Sequence, residues 1–596
     1  MPIEILETRI APAGILVLNI ADSGPGSLRN AITLANTNGD TSNDITFAHG
    51  LHGAIALKSS LPPITSNITF TVLSGSTVSI NGGNQFQIFN IQGPQIAVNI
   101  SDLTLTRGSS AYGGAIYVND YMGTVKLAGC TITKNQALGS ATSTHASGIG
   151  GAIDLQQGAL DINASTISGN IAAGFAATTA YPTGGKAMGG GIYVYGAGAL
   201  SVTNSTISGN VALGANGLIG TKGASGVPSS AGSYGTAGGN GAIAKGGGIW
   251  SYGSVTLANS IISGNKALGG KGGAGGAGGK GGTGAQGGNG GAGGYSGNAY
   301  GGGIFTPGSL TVNNSTISGN IASGPQGGRG GAGGRGGSHA QGGNGGAGGY
   351  SGKAFGGGIY STGALTVNNS TISGNIASGA LGGKGGAAGG ASSRALHGAV
   401  GTTQAATAGY GGGIHTQNST IKLVQDTIAR NAAGQGGGLF VNMDTSATVD
   451  NSTIAFNKAL QAGMGGGIWA YLDPNSDPIT VISTAIGQNK TARKPVAGDD
   501  LFMSAGYITA SYSLVESFTT NSVTQAVAGS VIENVSPLLG PLQNNGGPTL
   551  TCLPSLSRSP LLGAGFNPLT PPLTKDQRGD PREQGGTIDI GSVEVA

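Results

Sequence analysis

The residues able to do acid–base chemistry in this chain are few and stand toward its ends. Asp154 and Asp161 share one early stretch, Asp426, Asp444 and Asp450 a late one, Asp499 and Asp500 lie beyond them, and His49 and His52 sit near the start in "FAHGLHGAI". A pair of carboxylates would suit hydrolysis of a glycosidic bond. Several acidic oxygens around calcium would suit elimination from an acidic polysaccharide. Between residues 162 and 425, however, there is no Asp or Glu. A polysaccharide lyase or glycosidase would have to work from the terminal parts, and it stands as the alternative to a non-catalytic protein. The glycine-rich segments also lack the aspartate that calcium-binding β-roll repeats need, so neither a metal nor a cofactor is expected.

The same acid-free stretch carries twelve cations, Lys186, Lys222, Lys245, Lys266, Lys271, Lys280, Arg329, Arg335, Lys353, Lys384, Arg394 and Lys422, in a chain of net charge +4. Lys222, Lys271, Lys280, Arg329, Arg335, Lys353, Lys384 and Arg394 fall within glycine-rich segments. They are the candidate surface-binding residues, for an acidic polysaccharide or a cell-surface component. So sparse a set, with little aromatic interleaving, does not suit specific nucleic-acid binding. Without a run of 18 apolar residues, no membrane-spanning helix is expected. Cys130 and Cys552 are too far apart in sequence to suggest a metal site or a disulfide framework.

What positions these residues is a repeat. A turn of two or three glycines followed by an aliphatic residue starts at Gly113, Gly150, Gly189, Gly246, Gly301, Gly356, Gly411, Gly436 and Gly465. Two of the 24-residue units that follow, "GGGIFTPGSLTVNNSTISGNIASG" and "GGGIYSTGALTVNNSTISGNIASG", are nearly identical. Apolar residues alternate with Thr, Asn and Ser, the period of a strand. Three short strands per unit make one coil of a parallel β-helix, with coils stacked about 4.8 Å apart. Each unit also closes on an asparagine: Asn135, Asn170, Asn210, Asn265, Asn320, Asn375, Asn431, Asn457 and Asn489. These should stack as a ladder whose amides satisfy one another at a bend. The Asn-x-Ser/Thr triplets at Asn204, Asn314 and Asn369 belong to this strand chemistry rather than to glycosylation.

Residues 1–60 read as a leader and capping segment, in which Ser27 caps a short helix with Leu28, Ile32 and Ala35 on one face. The β-helix spans 61–535, and 536–596, richer in proline and charge, forms a C-terminal cap. Four segments, 215–245, 270–300, 325–355 and 380–410, interrupt the coils and are each 31 residues long. Slack loops have little reason to match in length, because closure cost rises slowly with length. The second and third are close to Gly-Gly-x triplets, the period of a threefold extended helix of the polyproline II type. Such narrow helices, leaving one corner of successive coils, can pack side by side.

The ending "GPLQNNGGPTLTCLPSLSRSPLLGAGFNPL", then "DQRGDPREQGGTIDIGSVE", resembles that of choice-of-anchor Q domain proteins, and "DSGPGSLRNAITLAN" resembles their opening. "SPLLGAG" lacks the family's usual aspartate, and Cys552 replaces a common histidine. The resemblance implies a right-handed parallel β-helix of the pectin-lyase-like type on bacterial secreted or surface proteins. From the ending "DIGSVEVA", no sorting tail is expected. The expectation is therefore an all-β, right-handed parallel β-helix with caps and glycine-rich inserts, structural or adhesive at the cell exterior, of unspecified oligomeric state. A further alternative is binding of an ordered surface, ice or cellulose, by strand threonines such as Thr311 and Thr366.

Overall fold

The computed structural model of the protein describes residues 13–119, 122–140, 147–391, 395–442, 446–461, 464–473, 477–492, 498–555, 558–567 and 569–595. Arg394, Asp444 and residues 1–12 of the leader and capping segment lie outside them.

One repeat shows how a coil forms. Gly301 has a φ of 60°, in the left-handed region that favours glycine, and a Cβ there would overlap the Ile304 carbonyl oxygen. The chain then runs through Ile304–Thr306, Leu310–Asn313, Thr316–Ser318 and Ile321–Ser323. Alternation sends Ile304, Leu310, Val312, Ile317 and Ala322 fully inward. The unit thus holds four strands, one more than the expected three. The segment after the ladder asparagine also pairs, because the amide satisfies the bend and the chain leaves it extended. Two residues from the end of the preceding insert, Ala299–Tyr300, add a fifth strand.

Coils stack in parallel with like residue over like: Ile249, Ile304 and Ile359 in one column, Ile262, Ile317 and Ile372 in another. The result is a parallel β-helix, its faces being sheets of 15, 14, 11, 9 and 6 strands among the described residues. One apolar core runs through it from Val17 to Val531. A separate column of alanines, among them Ala244, Ala267, Ala299 and Ala322, fills the corner between the nine- and six-stranded sheets, each fully buried.

Both ends differ from expectation. The helix starts well before residue 61, since Ala13–Val17, Ser42–Phe47 and His52–Ala56 belong to the same long sheets. Helix α1, Leu28–Thr37, is inserted in this first coil; Ser27 accepts from the Asn30 N–H and Leu28, Ala31, Ile32 and Ala35 are buried. At the other end the C-terminal segment turns back along the flank of the 14-stranded sheet. Leu539, Leu542, Cys552, Leu561 and Ile590 pack on Ala429, Ala455, Ala485 and Leu514. The cause lies in the sheet, whose outward position changes from Ser318 and Ser373 to Ala429 and Ala455 in successive coils.

Candidate functional site

Each of the four inserts runs out from the same corner of the β-helix and returns, giving an outgoing and a returning arm. Along the outgoing arms, the N–H groups of Gly217, Gly220, Gly223 and Gly226 donate to the carbonyls of Lys271, Ala274, Ala277 and Lys280 at 2.8–2.9 Å. Gly275, Gly278 and Gly281 repeat this with Arg329, Ala332 and Arg335, and Gly330 and Gly333 with Lys384 and Ala387. Bonding at every third residue is the period of a threefold extended helix. The second glycine of each triplet bonds across to the other layer. Gly273, Gly276 and Gly279 donate to Gly239, Thr236 and Ser233, while Gly288, Gly291 and Gly294 donate to Gly279, Gly276 and Gly273. Eight arms therefore form a two-layer slab in which two amides of each triplet are satisfied internally in the second and third inserts.

Close approach is what demands glycine. A Cβ on Gly276 would overlap the Thr221 carbonyl oxygen, one on Gly331 that of Gly276, and one on Gly386 that of Gly331. In the first glycine of each triplet the Cβ would instead strike the opposite layer, as Gly275 would strike Gly291. Side chains replace these glycines where the slab has an edge. In the first insert Thr221, Ala224, Val227, Ser233 and Thr236 occupy the positions whose Cβ would face an earlier arm. The shorter loop of the preceding coil, residues 174–186, reaches only the foot of the slab, where the Leu218 N–H donates to the Pro182 carbonyl and a Cβ on Gly239 would strike the same carbonyl. In the fourth, His397, Val400, Thr403 and Ala406 occupy the positions facing a later one. Such side chains close both edges to further pairing. Ala388 and Gln404 break the pattern, and nothing in the structure explains them.

The third residue of each triplet faces solvent. Lys222, Lys271, Lys280, Arg329, Arg335 and Lys384 all stand at this position on outgoing arms and are exposed, so six of the eight candidate cations share one face. Arg329 is in register with Lys384, and Lys280 with Arg335. Along the arm the two pairs are six residues apart, roughly 19 Å at about 3.1 Å per residue. Lys353 lies on the returning layer, at its foot.

Two ladders and a stack of rings hold the slab's foundation rigid. Asn265 donates from Nδ2 to Asn320 Oδ1 at 3.0 Å, and Asn320 to Asn375 at 2.9 Å. The same bond links every neighbouring pair from Asn135 through Asn489. Asn489 then donates to Asp500, whose carboxyl is pushed up to about 7 by burial, against hydrogen bonds from Ser517 and Asn489. A second ladder, which sequence reasoning missed, runs through Ser165, Ser205, Ser260, Ser315 and Ser370, each hydroxyl taking the preceding member's backbone N–H. Also missed was a column of rings on the outer side of the 11-stranded sheet: Tyr193, Trp250, Phe305, Tyr360, His415, Phe440 and Trp469 in register. Tyr300, Phe355 and Tyr410 close over it at 5.0–5.3 Å from one another. The signal was present, since an aromatic or His follows nearly every glycine turn by two residues. His415 is fully buried there and is lowered to about 3, so it stays a neutral ring.

The candidate acids are not gathered into one cleft. Asp154 lies in the 11-stranded sheet among Tyr112, Tyr117 and Tyr193, and burial holds its carboxyl well above the usual range. Asp161 belongs to the 15-stranded sheet. Asp426 joins the serine ladder, its two oxygens accepting from the Ser370 and Val424 N–H groups. Asp450 lies one coil on and is raised to about 6 by burial. Asp499 accepts from Thr491 at 2.6 Å. His52 is bonded to Thr77. Among the described residues there is no group of three His, Cys, Asp or Glu that could hold a metal, and both cysteines are free and buried. Thr256, Thr311 and Thr366 stack in register, but Ser201 precedes them and Lys422 follows. In the "RGD" triplet Arg578 is taken up by Asp576 at 2.9 Å and Asp580 at 3.1 Å.

No protein-family model matches the chain, and no curated protein matches it.

Proposed function

We propose that the protein is a non-catalytic binding protein of the cell exterior that presents the outgoing-arm face of its glycine slab to acidic polysaccharide. One observation carries this: six cations on a rigid face, within a stretch that has no carboxylate to neutralise them. Fixed arms hold the charges in place, so binding a polyanion costs little further ordering. A fourfold outgoing layer also offers several contacts to one polymer, which multiplies weak attraction. The resemblance of both chain ends to choice-of-anchor Q proteins supports the exterior location.

Binding to polygalacturonate, measured by interferometry at rising salt, tests this. The chain is expected to bind at low salt and to weaken steeply as screening grows. The variant Lys271→Glu/Arg329→Glu/Arg335→Glu/Lys384→Glu should lose at least about tenfold in affinity. Equal binding by both would refute the assignment. Cleavage of the polymer, abolished by Asp154→Asn or Asp450→Asn, would establish the enzyme instead.

A further inference from the structure

The returning layer has a different surface. Its solvent-facing positions, taken arm by arm in register, form one row of Ala237, Ala292 and Ala347 that ends at Thr402 on the fourth arm. On one side of it stand Asn240, Tyr295 and Tyr350, and on the other Tyr234, Asn289 and Asn344. The alanines make the floor of a shallow trough that crosses the arms, and the tyrosines and asparagines make its walls. Wall columns are six residues apart along an arm, roughly 19 Å at about 3.1 Å per residue. Tyr234 is 71%, Tyr295 54% and Tyr350 51% exposed, and the rings of Tyr295 and Tyr350 lie 5.2 Å apart.

The wall amides are fixed by the backbone. Asn240 Oδ1 accepts from the Tyr295 N–H, Asn289 Oδ1 from Asn344 and Asn344 Oδ1 from Ala399, each at 2.8 Å. This satisfies the third amide of those triplets and turns each Nδ2 into an oriented donor. No charged residue stands in the floor or either wall; Lys353 lies one triplet beyond Tyr350. An apolar floor, exposed phenol rings and preset amide donors complement a chain with apolar C–H faces and many hydroxyls. They give a polyanion nothing to pair with.

We propose that this trough binds a strand of uncharged polysaccharide lying across the returning arms, so that the slab holds a neutral polymer on one face and an acidic one on the other. Sugar rings pack on Tyr295 and Tyr350, and hydroxyls accept from the Asn240 amide in the same wall.

The test is depletion of the full chain from solution by microcrystalline cellulose, by chitin and by insoluble β-1,3-glucan, in about 0.5 M NaCl to silence the cationic face. At least one of the three should retain the protein. Tyr295→Ala/Tyr350→Ala should then lower affinity about tenfold or more, while Tyr295→Phe/Tyr350→Phe should keep most of it, because the stacking ring is retained. Ala292→Trp, which fills the floor, should also abolish retention, and Lys271→Glu/Arg329→Glu should leave it unchanged. Failure of the unmodified chain to bind any of the three polymers would overturn the trough, as would undiminished binding by the double alanine variant with native circular dichroism. Neither result bears on polygalacturonate binding at low salt.

Discussion

The β-helix and the slab advance together, one arm pair per coil, yet they are built on opposite rules. In the β-helix, like side chains stack over like, and stability comes from apolar burial such as the column of Ile262, Ile317 and Ile372. In the slab, the interior is almost entirely glycine, with Ser296, Ser351, Ala388 and Gln404 among the exceptions, and cohesion comes from backbone hydrogen bonds between chains whose glycines touch. A core can exchange one apolar residue for another of like volume at modest cost. Where glycine packs on glycine in the slab, not a single carbon can be added without overlap. That difference teaches why its composition looks disordered while its structure is regular: low side-chain content is the packing requirement, and only the outward third of positions is free to carry function.

Four substitutions would break or sharpen this contrast. Gly334→Val, whose Cβ would overlap the Gly279 carbonyl oxygen, is expected to destabilise the slab by about 3 kcal/mol or more, read as faster thermolysin cleavage within the inserts. In the β-helix, Asn320→Ala strips partners from the Asn265 backbone N–H and amide. It should cost about 2–3 kcal/mol in denaturant unfolding.

Asp500→Asn probes the end of the ladder through pH. Burial raises the Asp500 carboxyl to about 7, so the folded state binds a proton more tightly than the unfolded chain, and stability falls as pH rises from about 4 to about 7. The asparagine variant should be more stable by on the order of 2 kcal/mol near pH 8 and little changed near pH 4, checked by melting at both. Asp450 and Glu594, raised to about 6 and about 7, will keep a residual slope of the same sign. The smallest effect belongs to Ala224→Val, at the same triplet position as Gly334 but on the open edge: within about 0.5 kcal/mol. A cost there equal to that of Gly334→Val would erase the distinction between edge and interior.

Much of the β-helix could be read from residues whose role repeats in every coil. The glycine turns, the inward alternation around Leu310 and Val312 and the asparagine column each state a local requirement nine or so times. The serine ladder and the ring column repeat as plainly, but serine beside asparagine looks like an ordinary turn, and rings drawn from Tyr, Trp, Phe and His hide one shared position. In the slab the triplet period was legible in the second and third inserts. Its two faces were not, because they depend on which arm lies beside which: Lys280 gains Arg335, and Tyr295 gains Tyr350, only through a 55-residue register. The C-terminal return was hidden for the same reason, since Gln577 meets Thr427 from 150 residues away.

The packed slab is tested most directly by hydrogen exchange on the intact chain, followed in peptides covering 270–300 and 325–355. About two amides in three should resist exchange for as long as those of the neighbouring strands, with the remaining third exchanging quickly except where an asparagine covers it. Complete exchange of both segments within seconds, beside protected strands, would contradict an ordered slab and leave the inserts as loose loops.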